Sequence, residues 1–223
     1  MANNIQILST KALLTNQKQF LLNAGFSVIE ADFIQIKNKP FELKNTNETL
    51  IFTSQNAVHA ILENDGIEKL KSKSVFCVGL KTKALLEENG FKVEAYTGYA
   101  ADLAEIIALV YSDTTYTFFS GNLRRDTLPE LLTENGITFN EIEVYQTLLT
   151  PQKINSKPDG ILFFSPSAVE SYLKENKIKD ETCICIGTTT AEALEIHKIK
   201  NIVIANQPTI ENTIIQCINY YNS

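Results

Sequence analysis

The sequence predicts an α/β protein built from doubly wound, mostly parallel sheets, and three observations carry that prediction. Short apolar runs alternate with helical stretches from end to end. Ala24-Gly25, Asn89-Gly90 and Asn135-Gly136 stand where helices should stop and turn into strands. The third is that the chain repeats itself.

The strand candidates, in order, are Ile5–Ser9, Ser27–Glu30, Thr49–Thr53, Ser74–Val78, Lys92–Ala95, Thr115–Phe119, Thr138–Tyr145, Gly160–Phe164, Cys183–Ile186 and Ile202–Ile204. Between most of them the apolar residues recur at i, i+3 and i+4, as in Leu103, Ile106, Ile107 and Val110, which is the spacing of one helix face.

Sliding the chain by 111 positions lays Leu50–Asn64 on Ile161–Glu175 and matches Phe52, Ser54, Ala57, Val58 and Leu62 with Phe163, Ser165, Ala168, Val169 and Leu173. The same shift lays Ser9, Leu21, Gly25, Glu30 and Gln35 on Ser120, Leu132, Gly136, Glu141 and Gln146. A shift of 108 lays Gly79-Leu80-Lys81-Thr82 on Gly187-Thr188-Thr189-Thr190. The order is therefore a two-strand module, a three-strand module, and the same pair again. Polar, proline-containing segments, Gln35–Asn47 and Gln146–Pro158, offer two crossovers. If the chain leaves one domain at the first and returns at the second, residues 37–149 form an inserted domain, and 1–36 with 150–223 form a discontinuous one. Each is then a five-stranded doubly wound unit, with the ligand between them. The other arrangement is two sequential halves; the lack of pattern in the two polar segments favours the insertion.

Composition narrows the function. The 223 residues are 44% apolar and 21% charged, with nine Gly and six Pro, which excludes disordered and collagen-like chains. A formal charge of −6 argues against a nucleic-acid or anionic-membrane partner. No signal peptide is evident at the N-terminus, and the longest apolar run, Ile106–Tyr111, is far short of the roughly 20 residues that span a bilayer. Cys77, Cys183, Cys185 and Cys217 each sit in an apolar segment and read as buried, reduced thiols of a cytoplasmic protein. Dinucleotide, P-loop and nucleophile-elbow motifs are absent, as are metal-ligand clusters, and His59 and His197 follow no nucleophile motif.

What remains is a set of hydroxyl-rich strand-to-helix turns: Thr53-Ser54-Gln55-Asn56, Gly79-Leu80-Lys81-Thr82, Ser120-Gly121-Asn122, Ser165-Pro166-Ser167 and Gly187-Thr188-Thr189-Thr190. In a doubly wound sheet such turns lie at the carboxyl ends of the strands, and each opens a helix whose free N–H groups and positive dipole end suit an anion. The same residues also suit plain N-capping by Ser54, Thr82, Ser165 and Thr190. Arg124-Arg125 falls at a helix start, where cations are disfavoured; a ligand carboxylate would relieve that cost, and a solvated pair fits as well. Glu141, Glu143 and Tyr145 alternate along one strand face. Tyr145 then serves either as a proton donor reaching a cleft or as a half-buried packing residue.

The chain resembles the uroporphyrinogen-III synthase family over essentially its whole length. The resemblance rests on Ile51-Phe52-Thr53-Ser54 with Ala57-Val58, Val78-Gly79 with Thr82, and Gly121-Asn122-Leu123-Arg124-Arg125 with Leu128-Pro129. It continues through Val144-Tyr145-Gln146-Thr147, Phe163-Phe164-Ser165-Pro166-Ser167, and Ile186-Gly187 with Thr189-Thr190-Ala191. Lys11 stands where the family often has Arg, and Thr188 where a Pro is common. The resemblance implies two flavodoxin-like domains joined by a two-stranded linker. It also implies a cofactor-free lyase that closes the linear tetrapyrrole hydroxymethylbilane, with loss of water and inversion of the last pyrrole ring through a spiro intermediate. It implies Tyr145 as an acid assisting water loss. Ser54, Thr82, Ser165, Ser167, Thr189, Thr190, Asn122 and Arg124 are the expected substrate-binding residues, in a monomer that takes a small polycarboxylate and no metal. The competing reading is a two-domain module that closes over an anionic small molecule without changing it.

Overall fold

A computed structural model describes residues 5–222. In chain order the elements are β1 (Gln6–Ser9), α1 (Thr15–Asn23), β2 (Ser27–Glu30), β3 (Ile34–Asn38), β4 (Thr49–Phe52), α2 (Gln55–Leu62), β5 (Ser74–Val78), α3 (Leu80–Glu88), β6 (Lys92–Thr97) and α4 (Ala100–Val110). They continue with β7 (Tyr116–Gly121), α5 (Thr127–Glu134), β8 (Phe139–Leu149), β9 (Gly160–Phe163), α6 (Pro166–Glu175), β10 (Thr182–Cys185), α7 (Thr188–Ile196), β11 (Ile202–Ile204) and α8 (Ile210–Asn222). No described helix is long and apolar enough to cross a membrane.

The chain divides into two compact units, Met1–Gln35 with Leu148–Ser223 and Ile36–Thr147. The first carries a sheet in the order β11-β10-β9-β1-β2, every pair parallel. The second carries β3-β8-β7-β4-β5-β6, parallel from β8 to β6. Counted from β1, the first sheet has the 2-1-3-4-5 order of a flavodoxin-like unit. Counted from β7, the second has the same order with its connectivity circularly permuted. The internal repeat explains this. Each unit pairs a two-strand module from one copy with the three-strand module of the other.

Fully buried strands such as Thr49–Phe52 and Gly160–Phe163 read as continuous apolar runs because helices cover both sheet faces. In the second unit Leu50, Phe52, Val75, Cys77 and Phe119 pack with Ala57, Val58, Ile61 and Leu86 of α2 and α3, while Ile51, Phe76, Tyr116 and Phe118 pack with Leu103, Ile107 and Leu132 of α4 and α5. The first unit repeats the division: Leu8, Ile161 and Phe163 lie against α6 and α7, and Ile7, Leu162 and Ile184 lie with Leu21 of α1 and Ile214 of α8. Phe52 and Phe119 stack with centroids 5.1 Å apart at 15°, so truncating either ring to Ala removes about 3–5 kcal/mol.

The two polar segments pair with each other, as the two-stranded linker implied by the resemblance requires. Among the described residues eleven strands stand where ten were expected. The extra one, β3, lies at the start of the first polar segment, absent from the strand candidates, and β8 runs on through Gln146 and Thr147 to Leu149. Backbone bonds from Lys39 N to Val144 O (2.9 Å) and from Thr150 N to Phe33 O (3.0 Å) tie the two segments antiparallel. Because β3 is an exposed edge strand, its side chains need no apolar pattern, and the pairing is carried by backbone groups that composition does not report.

Candidate active site

The hydroxyl-rich turns all fall at the carboxyl ends of parallel strands, and their chemistry divides into two kinds. Ser54 and Ser165 are side-chain N-caps: Ser54 Oγ accepts from Asn56 N at 3.1 Å, and Ser165 Oγ accepts from Ala168 N at 3.2 Å while lying 3.0 Å from Ser167 Oγ. At α3 and α7 the expectation that Thr82 and Thr190 cap is overturned. Gly79 and Gly187 occupy the N-cap positions, neither helix has a side-chain cap bond, and Thr82 and Thr190 are buried one turn in. Gly79 has φ +91°, a conformation that disfavours any side chain. Thr189 sits beside Thr190 and is half-buried.

The distribution of acids sharpens the pattern. In a chain with 26 Asp and Glu, the first turns of α1, α2, α3, α6 and α7 hold none, whereas those of α4, α5 and α8 hold Asp102, Glu130 and Glu211. An acid in the first turn is the usual partner of the positive dipole end, worth about 0.3–1 kcal/mol. The repeat-related helices α2 with α6 and α3 with α7 share this lack of a first-turn acid.

The turn after β7 is organised by a register shift. Ser120 lies opposite Glu143 and Gly121 opposite Tyr145, so Val144 is an extra residue in the ladder. Strict alternation would send Val144 and Tyr145 to opposite faces; here both join the core cluster of α2 and α3. The expectation that Tyr145 follows Glu141 and Glu143 along one face is therefore corrected. The Tyr145 ring is 9% exposed and crosses the bare backbone of Gly121. Its hydroxyl bonds to no described group, yet it is not among the side-chain atoms sealed from solvent without a partner.

Arg124 is also re-read. Helix α5 begins at Thr127 with Asp126 at its N-cap, so Arg124 precedes the helix. Its guanidinium grips Glu141 with two bonds, Nε to Oε1 at 2.6 Å and Nη2 to Oε2 at 2.9 Å, and pairs with Asp126 through Nη1. Burial pushes the Glu141 carboxyl up, but bonds donated by Arg124 and by Ser120 Oγ (2.5 Å) leave it below its ordinary value. Arg124 therefore braces β7 against β8 with its charge already matched. Asn122 does similar work: its Oδ1 accepts from Thr147 N at 2.8 Å. Sequence reasoning missed Ser120 and Glu141 as partners of Arg124, because it is the pairing of β7 with β8 that brings residues about 20 positions apart together.

The cysteines are all free and buried, and burial raises Cys77 to about 11 and Cys185 and Cys217 to about 12, so none is a thiolate near neutrality. His59 is exposed, and His197 pairs with Glu170 at 3.0 Å. Among the described residues there is no group of three or more His, Cys, Asp or Glu that could hold a metal ion.

A family model described as "Uroporphyrinogen-III synthase HemD" matches residues 17–215, which takes in every one of these turns. The chain belongs to the uroporphyrinogen-III synthase family. It is 30% identical over 173 residues to a uroporphyrinogen-III synthase of Chlorobaculum parvum, covering 68% of this chain and 70% of that one. It is 28% identical over 134 residues to the Saccharomyces cerevisiae uroporphyrinogen-III synthase, covering 52% and 48%. Among solved structures, the Helicobacter pylori uroporphyrinogen-III synthetase superposes with a TM-score of 0.75 at 22% identity over 97% of this chain and 99% of that one. A mutant Thermus thermophilus uroporphyrinogen III synthase gives 0.69 at 16% identity over 97% and 98%. Both share the fold of this uroporphyrinogen-III synthase family member.

Proposed function

We propose that this chain converts hydroxymethylbilane into uroporphyrinogen III, a cyclising hydro-lyase reaction that needs no metal or nucleotide, and that it works as a cytoplasmic monomer. The observation that carries the reading is the set of acid-free helix N-termini at α2, α3, α6 and α7, in a chain of this family. Carboxylates such as a linear tetrapyrrole bears can be taken by backbone N–H groups and hydroxyls in each unit by itself: by Ser54 and Asn122 at the turn surface with Thr82 beneath in the second, and by Ser165, Ser167 and Thr189 with Thr190 beneath in the first. Arg124, committed to Glu141 and Asp126, serves by fixing the turn rather than by carrying spare charge.

The chemistry asks little of a side chain. The C–O bond of the terminal hydroxymethyl group breaks as the electron-rich pyrrole pushes the hydroxyl out. The hydroxyl takes a proton as it leaves, and our reading assigns its supply to the Tyr145 phenol, which bonds to no described group. The resulting carbon electrophile is attacked by the last ring at its substituted α position, giving a spiro intermediate; that ring's bond to the preceding methylene then breaks and re-forms at its free α carbon, which loses its proton, and the ring is inverted. Since hydroxymethylbilane closes unaided to the uninverted isomer, the protein acts mainly by holding the chain in one conformation.

The test is direct. Purified protein is given hydroxymethylbilane in the presence of a chelator, the porphyrinogens are oxidised, and the isomers are separated chromatographically. The inverted isomer is expected; the spontaneous isomer alone would overturn the assignment and return the chain to a binding role.

A further inference from the structure

In the second unit, the turns after β7, β4, β5 and β6 stand side by side in sheet order and present Leu123, Ser54, Leu80 and Tyr99. Three of the four are large, apolar and open to solvent: Leu123 is 54% exposed, Leu80 67% and Tyr99 74%. Tyr99 goes against local preference. It is the N-cap of α4, where Ser, Thr, Asn and Asp are strongly favoured, and it makes no side-chain cap bond. Leu80 is the first residue of α3, next to the uncapped Gly79. Apolar side chains placed in water at sites that favour polar ones cost stability, and such departures mark functional surfaces.

We infer that Leu123, Leu80 and Tyr99 form an apolar row that positions the pyrrole rings and methylene bridges of the substrate, while Ser54 and the acid-free starts of α2 and α3 take its carboxylates. The inference rests on the reading of the chain as a tetrapyrrole cyclase. Four neighbouring strands at about 4.8 Å spacing make a row of about 14 Å, a length suited to several linked pyrroles. The alternation fits the substrate's own make-up, in which flat apolar rings carry acidic side chains. Ring conformation decides whether the last pyrrole inverts, so the row sets the product as well as the affinity.

The experiment uses the full chain with Tyr99→Ser, Leu80→Ser and Leu123→Ser, each assayed for KM, kcat and the ratio of inverted to uninverted isomer, with Tm alongside. Tyr99→Ser restores a favoured N-cap, so its Tm should equal or exceed that of the parent by up to about 4 °C. Its KM should nevertheless rise, by roughly 5–20-fold for loss of one apolar contact, with more of the spontaneous isomer formed. Ile196→Ser, at the far end of α7 and 78% exposed, should change neither. A parent-like KM and isomer ratio in all three variants overturns the inference while leaving the proposed function intact. A raised KM that appears only together with a lowered Tm overturns it too, by assigning a structural role. Concentration-dependent self-association of the parent that the variants abolish, seen by sedimentation, would give the row to a second copy of the chain instead. If the parent itself makes only the uninverted isomer, the functional reading fails first.

Discussion

The ring of Tyr145 lies so close over Gly121 that a Cβ placed there would stand 2.3 Å from Cζ and 2.5 Å from Cε2. Gly121 is not among the residues with positive φ, so glycine is required there by contact rather than by backbone conformation. Gly121→Ala should therefore push the tyrosine out of its place in the core and cost about 1–3 kcal/mol. Tyr145→Ala in the same chain should remove most of that clash, giving a double variant far less destabilised than the sum of the two. Denaturant melts of the four proteins measure the coupling, and additive losses would show that the two sites do not touch.

The Arg124–Glu141 brace predicts a pH dependence. Glu141 ionises more readily in the folded chain than in the unfolded one, so the brace contributes fully above the unfolded carboxylate value of about 4.3 and is lost as pH falls through the lower folded value. Glu141→Gln should cost about 1–2 kcal/mol at pH 7, discounted because the pair is partly exposed. It should also flatten the fall in stability between about pH 5 and pH 3. Denaturation midpoints across that range check both; an unchanged acid limb would remove Glu141 from the set of coupled groups.

The strands, the repeat and the carboxyl-end turns were legible in the sequence because each rests on side-chain pattern: the Phe52 and Phe163 runs are apolar because helices cover both faces, and the Ser54 and Ser165 caps sit where the helix periodicity begins. What stayed hidden depends on backbone pairing. The edge strand β3 exposes Gln35, Lys37 and Asn38 and so looks like a linker. The extra residue at Val144 moves Tyr145 to the other face without changing a letter of the motif. Arg124 looked like a free cation because Glu141, 17 residues away, reaches it only through the β7–β8 register.

Burial of the thiols predicts chemical inertness. Cys77, Cys183, Cys185 and Cys217 are free and buried, and burial shifts each upward. An aromatic disulfide reagent at pH 8 should label none of them within minutes in the folded chain and all of them in denaturant. Thiol blockade should leave turnover unchanged. Rapid native labelling coupled to inactivation would place a cysteine in the mechanism.

Comparing the two repeats singles out Lys198. It ends α7 with φ 63°, the one positive-φ residue other than glycine among the described residues, where its counterpart Gly90 ends α3 with φ 85°. The closing bonds match: Ile199 N donates to Leu194 O at 3.1 Å, and Phe91 N donates to Leu86 O at 3.0 Å. Lys198→Gly should relieve the strain at Cβ and, after the added freedom of the unfolded chain, stabilise by about 0.5–1 kcal/mol. A lower melting temperature would mean that the Lys198 side chain contributes more than its backbone costs.

The sharpest test of mechanism is Tyr145→Phe. The substitution keeps the ring that packs over Gly121 and removes a hydroxyl with no described hydrogen-bond partner, so stability should change by no more than about 0.5 kcal/mol. General acid assistance is worth about 10²–10⁴-fold in most enzymes. Here the pyrrole expels the hydroxyl with its own electrons, so the loss in kcat should lie at or below the low end of that range, roughly 10–100-fold. KM should hold, because the phenol acts as the bond breaks rather than in binding. Thr82→Val and Thr190→Val should cost less, since a polyanion held by many backbone donors loses little with one buried hydroxyl. Steady-state rates with melting curves decide it: full kcat in a well-folded Tyr145→Phe variant would leave the ring as packing and make conformational control of the substrate the whole of catalysis.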